Sequence, residues 1–150
     1  MLDKNGIEIK TGDVVEITGA YFKGDNGLYY VDRSAGDAGW SGSYHSLHKI
    51  TKAGKISTAS GANRSWPLSI HTNDYMKRIE GNAWNEEHAT IEVKAGINQT
   101  YIAEYFRQAA ESLDARIEYE SYHYGEESEC TKLTKSVKAH FISVADRITA

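Results

Sequence analysis

Two histidines three residues apart, His45 and His48, are the first side chains in this sequence that could hold a metal. Imidazole pairs bind zinc when both reach one point, usually from positions i and i+4 of a helix. Here the spacing is i, i+3 in a segment that reads as loop running into strand, which sends the two rings to opposite faces. No third ligand is obvious, so the pair reads as surface or hydrogen-bonded histidine, and a metal-assisted hydrolase using the histidines ranks third among the readings. Trp84-Asn85-Glu86-Glu87-His88 sets two carboxylates beside an imidazole, the groups of general acid–base catalysis. Adjacent helical positions diverge by about 100°, so Glu86 and Glu87 share no task by spacing. The stretch reads as a solvated helix end with Trp84 packed inward. His123 with Glu126, Glu127, Glu129 and Cys130 could reach a cation only if their loop folded back, and the spacing of a calcium loop is missing. Gly36-Asp37-Ala38-Gly39 lacks the Lys-Ser/Thr of a phosphate loop. Ser41-Gly42-Ser43 lacks the Gly-x-Ser-x-Gly elbow and any identifiable base. No catalytic residue, metal or cofactor is assigned, and a non-enzymatic binding protein is expected.

The most unusual surface is acidic and aromatic. Glu118, Glu120, Glu126, Glu127 and Glu129 alternate with Tyr119, Tyr122 and Tyr124 over twelve residues. Tyrosine offers rigid contact area at little entropic cost. Carboxylates on a helical support can imitate duplex phosphates and occupy the basic groove of another protein. The expected partner is therefore a protein, and a basic one, with direct nucleic-acid binding disfavoured. One alternative is an inhibitor of a host defence nuclease, of the anti-CRISPR or anti-restriction type. The plainer alternative is a solvated helix end.

Charge supports this order. The 150 residues carry a formal net charge of −4. Residues 1–71 hold eight basic and seven acidic side chains, and residues 72–150 hold nine basic and fourteen acidic. A duplex-binding surface is usually basic. The single cysteine, Cys130, excludes an intramolecular disulfide and a thiolate zinc cluster within one chain. No apolar run approaches the ~20 residues of a membrane span, and the residues after Met1 show no apolar targeting run. A cytoplasmic protein without membrane association is expected.

The elements that must position these residues divide in two. Up to residue 71, strand signals recur at the spacing of a small barrel: Ile7–Lys10, Val14–Thr18, Leu28–Asp32, Leu47–Thr51, Lys55–Thr58 after a turn at Lys52-Ala53-Gly54, and a closing strand at Trp66–Ile70. A glycine- and serine-rich loop, Ser34–Ser43, lies between. From residue 72 the period turns helical, with one helix before Trp84, one more strand at Thr90–Lys94, and two amphipathic helices. The first, capped by Asn98, carries Ile102, Phe106, Ala109, Leu113 and Ile117. The second carries Leu133, Val137, Phe141, Val144 and Ile148. Joined by the linker Ser121–Glu129, they read as an antiparallel helical hairpin, or as the faces of a homodimer. The fold class is α+β, with one small barrel over 1–71 and a mainly helical part over 72–150.

The stretch Val14–Asp32 runs strand, Gly19 turn, Phe22-Lys23-Gly24, Asn26-Gly27 turn, strand. In that order it resembles the KOW motif, the hairpin of small SH3-like barrels in translation and transcription proteins. The matching residues are Gly19, Phe22, Lys23, Gly24 and Gly27. The resemblance implies an SH3-like barrel whose hairpin touches RNA or a partner protein, with Phe22 and Lys23 at the contact. In size and mixed composition the chain also resembles accessory proteins of phages and mobile elements, which implies a partner in a nucleic-acid-processing machine.

Overall fold

Branched residues that alternate with polar ones suit a strand with one face buried. Val14–Thr18 and Thr90–Lys94 both follow that rule, and both are strands. The computed structural model describes residues 2–20, 22–37, 39–40, 42–51, 54–66, 70, 89–94 and 99–149. Its compact units are Met1–Ala35 with Gly42–Ile97, and Gly36–Ser41 with Asn98–Ala150.

The first unit carries one antiparallel sheet of β1 (Val14–Thr18), β2 (Gly27–Arg33), β3 (His45–Lys49), β4 (Asn63–Trp66) and β5 (Thr90–Lys94). The spatial order is β4-β3-β2-β1-β5. Val15 stands opposite Tyr29 in β2 and Val93 in β5, so one register runs through three strands. A bulge between Val31 and Arg33 shifts the β2–β3 register, leaving Asp32 at the irregularity. Val15, Ile17, Tyr29, Val31, Leu47 and Ile91 form the buried face with Ile9 and Ile70. Val14 and Tyr30 are buried as well, on the opposite pleat.

Several expectations change here. The sheet is open: among the described residues β4 pairs only with β3 and β5 only with β1, so barrel closure is not observed. A strand runs over Asn63–Trp66, while residues 67–69 of the strand expected at Trp66–Ile70 lie outside the described residues, and Lys55–Thr58 contributes only an isolated bridge, Ile50 to Ile56. Ile7–Lys10 is likewise a bridge, Leu2 to Glu8. Thr90–Lys94 is a strand as expected, and it pairs with β1 inside the sheet. The helix expected before Trp84, the Trp84–His88 cluster, Pro67 and the Asn98 cap lie outside the described residues.

The second unit holds α1 (Gln99–Ser112), α2 (Asp114–Tyr124) and α3 (Glu129–Thr149). The single long helix expected up to Ile117 is two, interrupted at Leu113. The expected linker is also shorter, because α2 continues through Ser121–Tyr124. Arg107 reaches Asp146 and Thr149, Asp114 pairs with Lys138, and Glu120 meets Thr134. Those pairings run α3 antiparallel to α1 and α2. Ile102, Ala103, Phe106 and Ala110 of α1 are buried, as are Val137, Phe141, Val144 and Ala145 of α3. Phe106 and Phe141 stack obliquely at 5.8 Å. The stripe is therefore rotated from the expected one. Leu133 is 53% exposed, and the small Thr131 and Thr134 are buried. No helix of the described residues is long and apolar enough to cross a membrane.

Candidate partner-binding site

The end of α2 is built by two devices. Gly125 stops the helix: its φ of +90° is one that side chains with a Cβ resist, and its N–H still donates to Ser121 O at 3.0 Å. Ser128 then starts α3, its hydroxyl accepting from Thr131 N–H at 3.3 Å. Thr131 closes the corner by donating from its own hydroxyl to Gly125 O at 2.9 Å.

Glu120 fixes α2 against α3. It is 6% exposed, and Thr134 Oγ1–H donates to its Oε1 at 2.6 Å. Arg116 Nε lies 3.5 Å from the same oxygen. The Thr134 hydroxyl, the Cys130 thiol and Arg116 hold the Glu120 carboxyl below the usual glutamate range, against the opposing effect of burial. Glu120 was expected on the exposed acidic surface and is instead part of the packing. The hydroxyl donor explains the reversal: a paired carboxylate can be buried where an unpaired one cannot.

With α2 pinned at Glu120, its tyrosines remain open. Tyr119, Tyr122 and Tyr124 are 55%, 85% and 61% exposed. His123 stacks on Tyr119 at 4.2 Å and meets Tyr122 edge-on at 5.0 Å. Tyr124 lies 6.4 Å from Tyr119, also edge-on. Four rings thus form one exposed cluster. Glu118, Glu126, Glu127 and Glu129 are exposed beside it in the chain, with Glu127 3.4 Å from Lys132. His123 belongs to this cluster rather than to a cation site, and among the described residues no group of three His, Cys, Asp or Glu side chains could hold a metal. The sequence did not mark His123 as part of the aromatic surface. Its spacing of four from Tyr119, one helical turn, was the available signal.

Phe22 and Lys23 belong to the other unit. Phe22 is 49% exposed, beside a 3₁₀ turn at Lys23–Asp25. The turn is anchored from below. Tyr29 Oη–H donates to Asp25 O at 2.8 Å, Arg64 Nε–H donates to Asp25 Oδ1 at 2.9 Å, and Lys49 Nζ donates to Gly24 O at 2.7 Å. Burial raises the Tyr29 hydroxyl above its ordinary range, so it remains a donor at neutral pH. Ala20 N–H donates to Asn26 Oδ1 at 2.9 Å, closing the loop.

His45 and His48 both lie on β3, where an odd spacing puts them on opposite faces. His45 is fully buried and its Nδ1 accepts from Ala35 N–H at 3.3 Å. His48 Nε2–H donates to Ser57 O at 2.7 Å, and its ring stacks on Tyr30 at 5.4 Å. Asp32, on the same face as Tyr30, is half-buried, and desolvation raises its carboxyl above the aspartate range despite nearby Arg33 and His48. No family model, no curated protein and no solved structure matches the chain.

Proposed function

We propose that the chain is a non-enzymatic binding protein that docks a basic protein partner through the aromatic end of α2. The observation that carries this is the cluster of Tyr119, Tyr122, His123 and Tyr124, left exposed on a helix that the buried Glu120 ties to α3. Rigid aromatic area in an accessible position is what interface anchors are made of. The exposed Glu118, Glu126, Glu127 and Glu129 supply the charge that selects a basic partner, such as a nucleic-acid-binding protein's groove. The same chemistry accommodates the anti-defence inhibitor reading.

The test is capture from the protein's native cells, run side by side with two variants. One changes Tyr119, Tyr122 and Tyr124 to Ser. The other changes Glu118, Glu126, Glu127 and Glu129 to Gln and leaves Glu120 intact, because Glu120 belongs to the fold. A basic protein retained by the wild type, lost with the tyrosine variant and bound more slowly by the glutamine variant or at high salt is the expected result. A captured partner indifferent to both variants overturns the assignment.

A second reading rests on Phe22 and Lys23. An antiparallel meander whose last strand returns beside the first supports an SH3-like sheet. An exposed aromatic beside a lysine on an anchored turn suits a KOW-like contact. A captured partner lost with Phe22→Ala and retained by the tyrosine variant would move the interface to that hairpin.

A further inference from the structure

One exposed side of α3 carries a pattern of its own. Lys132, Lys135, Ala139, Ile142 and Asp146 recur at spacings of 3, 4, 3 and 4. That heptad rhythm sets side chains in a single line along a helix, and it is the line along which two helices pack. The line runs opposite Val137 and Val144, which are buried. All five of its residues are exposed, including Ile142, an apolar side chain that is 41% open. The dimer face expected from the sequence, through Val137, Phe141 and Val144, is buried, so this line is the face of α3 open to a second copy.

The charges along the line select both the occupant and its direction. Lysines stand at its N-terminal end and an aspartate at its C-terminal end, with Ala139 and Ile142 between them. A second copy laid parallel sets lysine against lysine and aspartate against aspartate. Laid antiparallel in the usual helix-pair layers, Ala139 meets Ile142 of the second copy and Lys135 meets its Asp146, each twice by two-fold symmetry. The small Ala139 leaves the space that an isoleucine fills, and Lys132 falls one turn from the same aspartate. Lys132 and Lys138 already pair with Glu127 and Asp114, whereas Lys135 between them has no ion pair among the described residues. Asp146 meets Arg107 at 3.6 Å through Oδ1, which leaves Oδ2 for a lysine.

We propose that the chain self-associates through this line of α3, as an antiparallel two-fold pair with a second copy of itself. From Lys135 to Asp146 the contact is about 16 Å long. One helix pair of that length buries less than the ~1,000 Å² of a stable interface, so the pair is weak and reversible. The assignment does not rest on the tyrosines of α2.

Sedimentation equilibrium of the full chain measures the association, and cysteine crosslinking reads its direction. A monomer–dimer equilibrium with a dissociation constant on the order of 0.1 mM is expected, moving toward monomer as salt rises. Lys135→Glu should weaken the dimer about tenfold, because symmetry counts each lost pair and each new repulsion twice. Ile142→Ser should weaken it as well. Both positions are exposed, so the variants keep the fold. Crosslinking uses a Cys130→Ser background, which retains a donor toward Glu120. There, Lys135→Cys protein should crosslink with Asp146→Cys protein and not with itself. A chain that stays monomeric up to about 1 mM leaves the face to some other partner and overturns the proposal. A dimer unmoved by both Lys135→Glu and Ile142→Ser overturns the α3 face, and Lys135→Cys protein that crosslinks to itself overturns the antiparallel pairing.

Discussion

The sheet places Val15, Ile17, Tyr29, Val31 and Leu47 in a buried face whose polar groups are the Tyr29 hydroxyl and the His45 imidazole, whereas the helices bury Glu120, Thr131 and Thr134 in the contact between α2 and α3. Most buried polar groups of the sheet unit sit at its margins instead. Thr11 accepts from Ser34 N–H, and Asp25 from Arg64. The mainly apolar sheet core needs directional partners only for Tyr29 and His45, which bond Asp25 O and Ala35 N–H. The α2–α3 contact is directional, because a carboxylate inside it must find its donors. A short helix tied in this way keeps its outer face clear for aromatic residues without relying on them for folding.

Three measurements sharpen or break that contrast. The largest effect is expected at the apolar centre of the helices, where Phe106 is the one fully buried large aromatic among the described helical residues. Phe106→Ala should cost about 3–5 kcal/mol, and Ile17→Ala in the sheet about 2–4 kcal/mol. Chemical denaturation of both variants reads the difference, and a costlier Ile17→Ala would show that the sheet is the less forgiving region.

Next comes the ionic tie. Glu120 is held below the ordinary glutamate range, so its stabilising contribution is complete above about pH 4.3 and is lost as pH falls through the lowered folded value. Glu120→Gln should melt earlier than wild type at neutral pH, with the gap closing in acid. A gap that stays constant from neutral to acid pH would mean that the charge contributes nothing to the α2–α3 contact.

The smallest effect belongs to the exposed ring. Tyr122→Ala should change stability by no more than about 0.5 kcal/mol, since the side chain is 85% exposed. A loss several times larger would make the aromatic cluster a structural element and remove the argument for docking.

The first hairpin was legible from its residues. Val14–Thr18 matches its strand, and Leu28–Asp32 falls one residue short at each end, because branched alternation and glycine turns speak at short range. β3 and β4 were read two or three residues late, since His45 and Arg64 break the apolar pattern that marks a strand. The interruption at Leu113 carries no glycine or proline to announce it. Burial of Glu120 was hidden by its charge, although it continues the 4, 3 spacing of Leu113 and Ile117. Thr131 and Thr134 were missed because their hydroxyls read as polar surface, and Leu133 was assigned inward because hydropathy outweighs geometry in such a reading. Of the site, the three tyrosines were legible as a composition, and their stacking with His123 was not.

Near the N-terminus, Asp3 receives Val93 N–H on Oδ2 at 2.9 Å and Asn5 and Ile7 N–H on Oδ1, while Lys4 N–H donates to Ile91 O at 2.9 Å. One aspartate turn thus takes the place that a sixth strand would fill along β5. Strand edges left open are templates for fibrous self-assembly. Asp3 and Lys4 thus occupy backbone groups of β5 that an open edge would offer to another chain. Because hydrogen bonds, first of all the one from Val93, hold its carboxyl below the ordinary aspartate range, this turn keeps its charge to lower pH than an ordinary aspartate would.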